Sequence, residues 1–378
     1  MSGGVDSSVA AGLLHEAGYQ VVGVTMKTWD YETSLGGSGV SRAQSGCCSL
    51  DDMNDARAVA VRLGASHTVV DIRDEFGGWV VDRFADDYLA GRTPNPCVLC
   101  NTHIKWAALL KRADALGCEH IATGHYARVR QENGRHVVSR GLDETKDQSY
   151  VLWGVAQDHL ARTLFPLGGY TKAEIRRQAD AFGFGHVAGK KDSYEICFVP
   201  DDDYRGWLRR REPGLAALAG GPMVWSETGE TVGTHDGTPF YTVGQRRGLG
   251  QAFGEPAYVV RLEPETNTVV VGPRSALATQ ALTASGAVWG KWDGLDDETA
   301  LQTRIRHHDP GAAALVRQTG LDAFEAVFEA PRDAVAPGQA AVVYDGDDVV
   351  AGGWIDRPAG ADRQRPEEAP EFMALPTL

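Results

Sequence analysis

Apolar positions fall at helical spacing almost from the first residue. Val9, Leu13, Leu14 and Ala17 follow the stretch Ser2, Gly3, Gly4, Val5, Asp6, Ser7, Ser8, and Gly18 then supplies the residue that most cheaply ends a helix. Val21 to Met26 is an apolar, β-branched run that predicts a buried strand. Asp51 to Leu63 predicts a helix closed by Gly64, and Thr68 to Ile72 a second strand. The pattern continues with a helix near Ile104 to Leu116, stopped by Gly117, and a short strand at His120 to Thr123. Thr171 and Glu174 have the spacing of a capping box for a helix reaching about Phe182. Strand and helix in alternation predict an α/β fold with a doubly wound parallel sheet.

The texture changes near residue 205. Gly and Pro become frequent, and short β-branched segments such as Tyr258 to Leu262, Thr268 to Val271 and Ala340 to Tyr344 replace long helices. The chain therefore divides into an α/β domain at 1–204, a small central α+β domain at 205–278, a C-terminal β-barrel at 279–359 and a mobile tail at 360–378. With 378 residues, 43% of them hydrophobic, the chain has material for more than one core. It has no apolar run long enough to span a bilayer and no basic-then-apolar start, so a soluble, cytoplasmic protein is expected.

A net charge of -14 argues against a nucleic-acid partner unless the basic residues are grouped. They are grouped at Arg205, Arg209, Arg210 and Arg211, at Arg246 and Arg247, and at Arg304, Arg306, His307 and His308, although a solvated surface would look the same.

Ser2 to Ser8 has the makings of an anion site. Glycines let the backbone approach a phosphate, first-turn amides and serine hydroxyls donate to it, and the helix dipole favours its charge. The stretch lacks the lysine of the P-loop NTPases and carries Asp6 instead, which could hold a magnesium ion or cap the helix. SGGVDSS resembles the pyrophosphatase-type (PP) loop of ATP-dependent adenylating enzymes. Such a loop normally follows a central strand, whereas here only Met1 precedes it. The expectation is that a strand lies upstream of this start or that the sheet lacks an inner strand, in which case nucleotide binding weakens.

The six cysteines do not form a disulfide framework in a long chain without a secretory signal. Cys97 and Cys100 are spaced CxxC behind Pro94 and Pro96, which stiffen the approach to a helix beginning near Cys100, where a thiol is acidified. Cys197 lies at a strand end or loop before Pro200. Cys47 and Cys48 are adjacent, poorly placed to chelate one ion, and Cys118 reads as a small buried apolar residue. A structural zinc would need a fourth ligand from a second CxxC, which the chain lacks.

Together these strings resemble the bacterial tRNA-specific 2-thiouridylases: SGGVDSS, Met26-Lys27, GRTPNPCVLCN from Gly91 to Asn101, ATGHYAR from Ala122 to Arg128, KDQSYVLW from Lys146 to Trp153, EICFVP from Glu195 to Pro200, and YTVGQRRGLG from Tyr241 to Gly250. The matches run from Ser2 to about Ile355. The resemblance implies an adenine-nucleotide α-hydrolase-like domain, a small central domain and a C-terminal β-barrel. It implies ATP contacts from Ser2 to Ser8, Met26 and Gly124, and contact of Asn95, Pro96 and Cys97 with the target base. His125, Lys146, Asp147 and Gln148 would touch tRNA. Arg304, Arg306 and Gln339 in the barrel would position its backbone.

By the same resemblance Cys197 carries a persulfide, and Cys100 attacks it or closes a disulfide with it. Many family members have Asp where this chain has Cys97. Three thiols could instead hold an iron-sulfur cluster with one open iron, and sequence leaves both routes open. The implied reaction is ATP-dependent adenylation of the C2 oxygen of wobble uridine 34, followed by sulfur transfer with loss of AMP. The expected partners are the tRNAs for Lys, Glu and Gln and a cysteine desulfurase or sulfur relay protein. A 4-thiouridine synthase or an ATP-dependent amide ligase shares the loop, and a non-catalytic tRNA-binding protein is the reading if the first strand is absent.

Overall fold

The computed structural model describes residues 1–29, 50–190, 196–199 and 203–356. Cys47, Cys48, Glu195, Pro200 and the expected tail lie outside the described residues.

Helix α1 (Val5–Glu16) leads to β1 (Val22–Lys27), α2 (Leu50–Arg62) and β2 (Ser66–Asp71). β1 and β2 pair in parallel, with Val22 opposite Ser66 and Lys27 opposite Asp71. A long helical stretch follows, Arg73–Phe76, Gly77–Asp82 and Arg83–Leu89, with a π turn at its centre. A second stretch, Pro96–Leu99, Cys100–Lys105 and α3 (Trp106–Ala115), has a π turn beginning at Cys100. β3 (Ile121–Ala122), β4 (Ala127–Glu132), β5 (Arg135–Arg140) and β6 (Thr163–Leu164) precede α4 (Lys172–Ala181). The Thr171–Glu174 capping box is present at α4.

The parallel pairing expected of this domain is present, as two separate pairs. β1 joins β2 and β3 joins β6, and no strand bridges them among the described residues. Met1 lies beside β1, where its carbonyl accepts from Thr25 Oγ1 at 2.6 Å and its amine is bonded to the Val24 carbonyl.

The central strands β7 (Gly221–Trp225), β8 (Thr231–His235), β9 (Tyr258–Glu263) and β10 (Thr268–Gly272) form one sheet in the order β8-β7-β10-β9. The last six, β11 (Ala278–Trp289), β12 (Thr299–Arg304), β13 (Ala312–Gly320), β14 (Ala323–Asp333), β15 (Ala340–Asp345) and β16 (Asp348–Ile355), close on themselves through a β11–β16 pairing. Closure leaves no unpaired edge within the six. The barrel interior is filled by Val316, Phe324, Phe328, Val343 and Val350.

The hairpin β4–β5, unforeseen in the sequence pattern, joins the barrel sheet by the pairing of Ser139 with Asp348. Its turn is Asn133-Gly134, with φ of 49° and 79°. An Asn-Gly pair between β-branched and alternating segments is the local signal that would have revealed it. Apolar clusters also cross the domain boundaries. Trp106, Tyr150, Leu152 and Trp153 pack with Ala340, Val342, Tyr344 and Val349 of the barrel. Phe76, Phe84, Leu99 and Phe198 pack with Leu208, Met223 and Val259 of the central region.

Candidate active site

The phosphate loop folds as its composition requires. Gly3 has φ +71°, and a Cβ there would lie 2.1 Å from the Asp52 carbonyl oxygen, so only glycine fits against the first turn of α2. Gly4 is the N-cap of α1, without a side-chain cap, which removes the capping role considered for Asp6. Ser8 Oγ donates to the Gly4 carbonyl at 2.8 Å, Ser2 N donates to Ser7 Oγ at 3.0 Å, and Val5 is buried beneath. Gly124 abuts the loop, since a Cβ on it would sit 3.0 Å from Ser7 N. Met26, on β1, packs at the edge of the cluster that includes Leu99 and Phe198.

Asp6 is engaged by two distant residues. Lys172 Nζ donates to both carboxylate oxygens at 2.8 Å, and the Tyr126 hydroxyl donates to Oδ1 at 2.7 Å. Neither residue was singled out in the sequence, because only the fold brings positions 126 and 172 to the loop. Lys190 Nζ donates to the Gly3 carbonyl at 3.0 Å and to Asp52 Oδ1 at 2.8 Å, and also meets Asp55.

The CxxC helix starts earlier than the expected Cys100. Asn95 is its N-cap, accepting from Val98 N at 3.3 Å, and Pro96 is its first residue, where a missing N–H costs nothing. Cys97 is therefore exposed in the first turn, and Cys100 stands at the junction with the π turn. The preceding loop is braced from two sides. Arg92 Nε binds Asp87 Oδ1 at 2.7 Å, and Thr93 N donates to the Pro337 carbonyl at 2.7 Å. Gln339 Nε2 donates to the carbonyls of Thr93 and Pro94 at 3.2 and 3.0 Å, so this residue, expected at the tRNA, holds the cysteine loop.

Cys197 is positioned by its neighbour. Phe198 is 1% exposed, with ring centroids 5.1 Å from Phe84, 5.5 Å from Trp207 and 5.9 Å from Phe76. Cys100 and Cys197 both pack against this one apolar cluster, although far apart in sequence. Among the described residues no group of three or more His, Cys, Asp or Glu side chains is arranged to hold a metal ion. Among the described residues, then, Cys97, Cys100 and Cys197 are not grouped as the ligands of an iron-sulfur cluster. Cys118 is half-buried and packs at the edge of the cluster around Trp106.

His125 is buried against Trp106, with ring centroids 5.7 Å apart. Burial, reinforced by the Lys105 ammonium, holds its pKa well below the usual histidine value. The ring is neutral: Nδ1 bonds Thr123 Oγ1 at 2.7 Å, and Nε2 faces Lys105 Nζ at 3.4 Å. Gln148 Oε1 accepts from Tyr126 N at 3.0 Å, and Lys146 is half-buried. Asp147 and Arg304 are turned inward onto each other at 2.9 Å, with side chains 4% and 11% exposed, whereas Arg306 is exposed. In this arrangement neither the Asp147 carboxylate nor the Arg304 guanidinium, both expected at the tRNA, faces solvent. Among the described residues no helix is long and apolar enough to cross a membrane.

Three successive stretches match known domain families. Residues 1–201 match the tRNA methyl transferase HUP domain, 216–273 the tRNA methyl transferase PRC-barrel domain, and 279–355 the aminomethyltransferase beta-barrel domain. The chain is 56% identical over 377 residues to the tRNA-specific 2-thiouridylase MnmA of Salinibacter ruber, covering 99% of this chain and 97% of that protein. It is 54% identical to the protein of the same name from Amoebophilus asiaticus, covering 94% and 93% of the two chains. With the one from Cytophaga hutchinsonii it shares 53% identity, covering 94% and 95%. The domain descriptions speak of methyl transfer and the relatives' names of thiolation. Identity above one half along nearly its whole length places the chain in the family of tRNA-specific 2-thiouridylases.

Proposed function

We propose that this protein replaces the C2 oxygen of the wobble uridine of tRNA with sulfur, using ATP. The observation that carries the reading is the meeting of two chemistries in one domain: a glycine-serine loop at the N-terminus of α1, and Cys100 and Cys197 on a shared apolar wall. Amides and hydroxyls of Ser2 to Ser8 receive the triphosphate, with Gly124 allowing close approach and Met26 beside the adenine. Asp6 is the carboxylate suited to magnesium, which would require Lys172 to leave it for a phosphate.

The target uridine leaves the anticodon stack to reach Cys97 and Asn95, a small cost in a single-stranded loop. Its O2 attacks the α-phosphorus of ATP, pyrophosphate leaves, and C2 gains a good leaving group. Cys197 holds the incoming sulfur as a persulfide. The Cys100 thiolate attacks Cys197 Sγ, forming a Cys100–Cys197 disulfide and releasing hydrosulfide, which adds to C2 as AMP departs. An external dithiol then reduces the disulfide. The sulfur comes from a cysteine desulfurase or relay protein, the substrates are the tRNAs for Lys, Glu and Gln, and the setting is the cytoplasm.

The test is thiolation of tRNA by anaerobically purified protein, given ATP and a persulfide donor. One thiouridine per pyrophosphate released, lost in Cys197→Ser and in Cys100→Ser, supports the reading. Thiolation that survives Cys197→Ser overturns it.

A further inference from the structure

Lys105 is a half-buried cation held by neutral partners alone. Its Nζ donates to Asn101 Oδ1 at 2.8 Å and lies 3.4 Å from His125 Nε2, and among the described residues no carboxylate pairs with it. An ammonium carries three N–H donors, so two are placed and the third has no acceptor among those residues. The two partners are themselves fixed. Asn101 is 2% exposed and its Nδ2 donates to the Val151 carbonyl at 3.0 Å, which turns Oδ1 toward Lys105. His125 Nδ1 is occupied by Thr123 Oγ1 at 2.7 Å. A charge drawn out of water without an opposite charge is unfavourable, and folds ordinarily pair it. A cradle of neutral acceptors leaves that pairing to a group that arrives with negative charge.

The ammonium stands between the two chemistries of the site. Asn101 directly follows Cys100, on the stretch that carries Cys97 as well. On the other side His125 directly follows Gly124, where a Cβ would meet Asp6 C and Ser7 N at 3.0 Å. From Cys100 to the phosphate loop each step is thus a peptide bond or a close approach of described residues, with Lys105 in the middle. The same charge reaches the head of the loop: burial first, and Lys105 second, hold the Met1 amine beside Ser2 down to a pKa of about 5. When a triphosphate occupies the loop and sulfur comes from the cysteines, the phosphorus that bonds to the uridine has to lie between the two. That phosphorus is the α-phosphorus.

We propose that Lys105 binds the α-phosphate of ATP with its third donor and keeps that phosphate through transfer to the uridine, until AMP departs. The inference rests on the reading of the loop as an ATP site and of the reaction as adenylation, and it names the residue that serves the reacting phosphate. Lys105 makes and breaks no covalent bond and keeps its protons. Its charge offsets that of the phosphate oxygens, which would otherwise repel the incoming uridine oxygen, and it stabilises AMP as a leaving group.

The experiment uses the full chain. Reductive methylation of Lys105 by formaldehyde and cyanoborohydride is followed by peptide mass spectrometry with magnesium-ATP, AMP, adenosine, pyrophosphate or tRNA at saturation, and equilibrium dialysis gives the affinities for AMP and adenosine. In the unsubstituted protein ATP and AMP slow the methylation of Lys105, whereas adenosine and pyrophosphate leave it unchanged. Lys105→Met weakens AMP by about tenfold or more, as loss of a hydrogen bond to a charged group does, and leaves adenosine binding unchanged. Its melting temperature does not fall, because no ion pair is lost, and Lys105→Arg restores part of the AMP affinity. Protection by pyrophosphate but not AMP, protection by tRNA but not nucleotide, or a Lys105→Met protein that keeps its AMP affinity or loses AMP and adenosine alike overturns the proposal. If the substituted protein does not fold, the methylation pattern of the unsubstituted protein decides alone. A chain that binds no ATP overturns the reading of the loop and this proposal with it. A chain that binds ATP with Lys105 unprotected overturns this proposal only, and the tRNA assay still reports the reaction.

Discussion

Asp147→Asn probes the joint between the first domain and the barrel. The carboxylate is 4% exposed and accepts from Gly141 N at 3.2 Å, Ser149 N at 3.0 Å, Ser149 Oγ at 3.0 Å and Arg304 Nη1 at 2.9 Å. Asparagine keeps the shape but turns one of these acceptors into a donor and leaves the guanidinium uncompensated among Tyr150, Tyr344 and His307. Breaking a buried pair in this way costs about 3–5 kcal/mol. With a urea dependence of about 2 kcal/mol per molar, the midpoint of the transition falls by about 1.5–2.5 M. The assay is urea unfolding followed by tryptophan fluorescence, which reports Trp153 and Trp354 at this joint, 5.5 Å apart. Arg304→Met alone leaves the carboxylate uncompensated and is also costly. Combined with Asp147→Asn it restores about 1–3 kcal/mol relative to the sum of the two. An Asp147→Asn midpoint within about 0.3 M of the original protein, or strict additivity in the double variant, would refute the reasoning.

Gly124→Ala places a Cβ 3.0 Å from Asp6 C and Ser7 N, so the loop must shift by a few tenths of an ångström; we expect KM for ATP to rise with little change in thermal stability, as steady-state kinetics and a melting curve will show. Phe198→Ala removes the ring that seats Cys197 and costs about 3–5 kcal/mol. Its kcat for thiolation falls, whereas ATP affinity, read by dialysis, is less affected. Gln339→Ala removes two of the three bonds that hold the cysteine loop to the 337–339 segment and raises the alkylation rate of exposed Cys97, an effect that mass spectrometry reads directly. Hydrogen bonds from Arg130, Lys291 and Ser139 hold the Asp348 carboxyl well below its usual pKa against the opposing effect of burial. Its contribution is therefore complete above about pH 4 and declines as pH falls through and below that value. The gap in urea midpoint between the original protein and Asp348→Asn should be widest near neutrality and narrow toward pH 3.

Local signals carried much of the fold into the sequence. The Thr171–Glu174 box and the helix stops at Gly18, Gly64 and Gly117, with φ of 87°, 66° and 67°, are decided within a few residues and were legible. The start of the CxxC helix at Pro96 was equally local but lay behind two prolines that read first as loop. The hairpin turn at Asn133-Gly134 was a local signal that went unread, and the partner of β5 was beyond reach, since it is more than two hundred residues away. The same holds for the site. The loop and the thiols announce themselves by residue type, whereas Lys172, Tyr126 and Lys190 are ordinary residues until the fold delivers them to Asp6 and Gly3. Asp147 and Arg304 show the converse, since charged residues in a recognisable string turn out to face each other.

The hairpin that extends the barrel sheet gives the molecule the character of a ruler. Arg130 and Ser139 clasp Asp348, Arg128 meets Asp347 at 2.8 Å, Arg135 bonds the carbonyls of Trp289 and Gly290, and Gln339 grips the cysteine loop from the far side. The distance from the barrel to the loop bearing Cys97 and Cys100 is therefore set by hydrogen bonds across the joint, and the two move as one body.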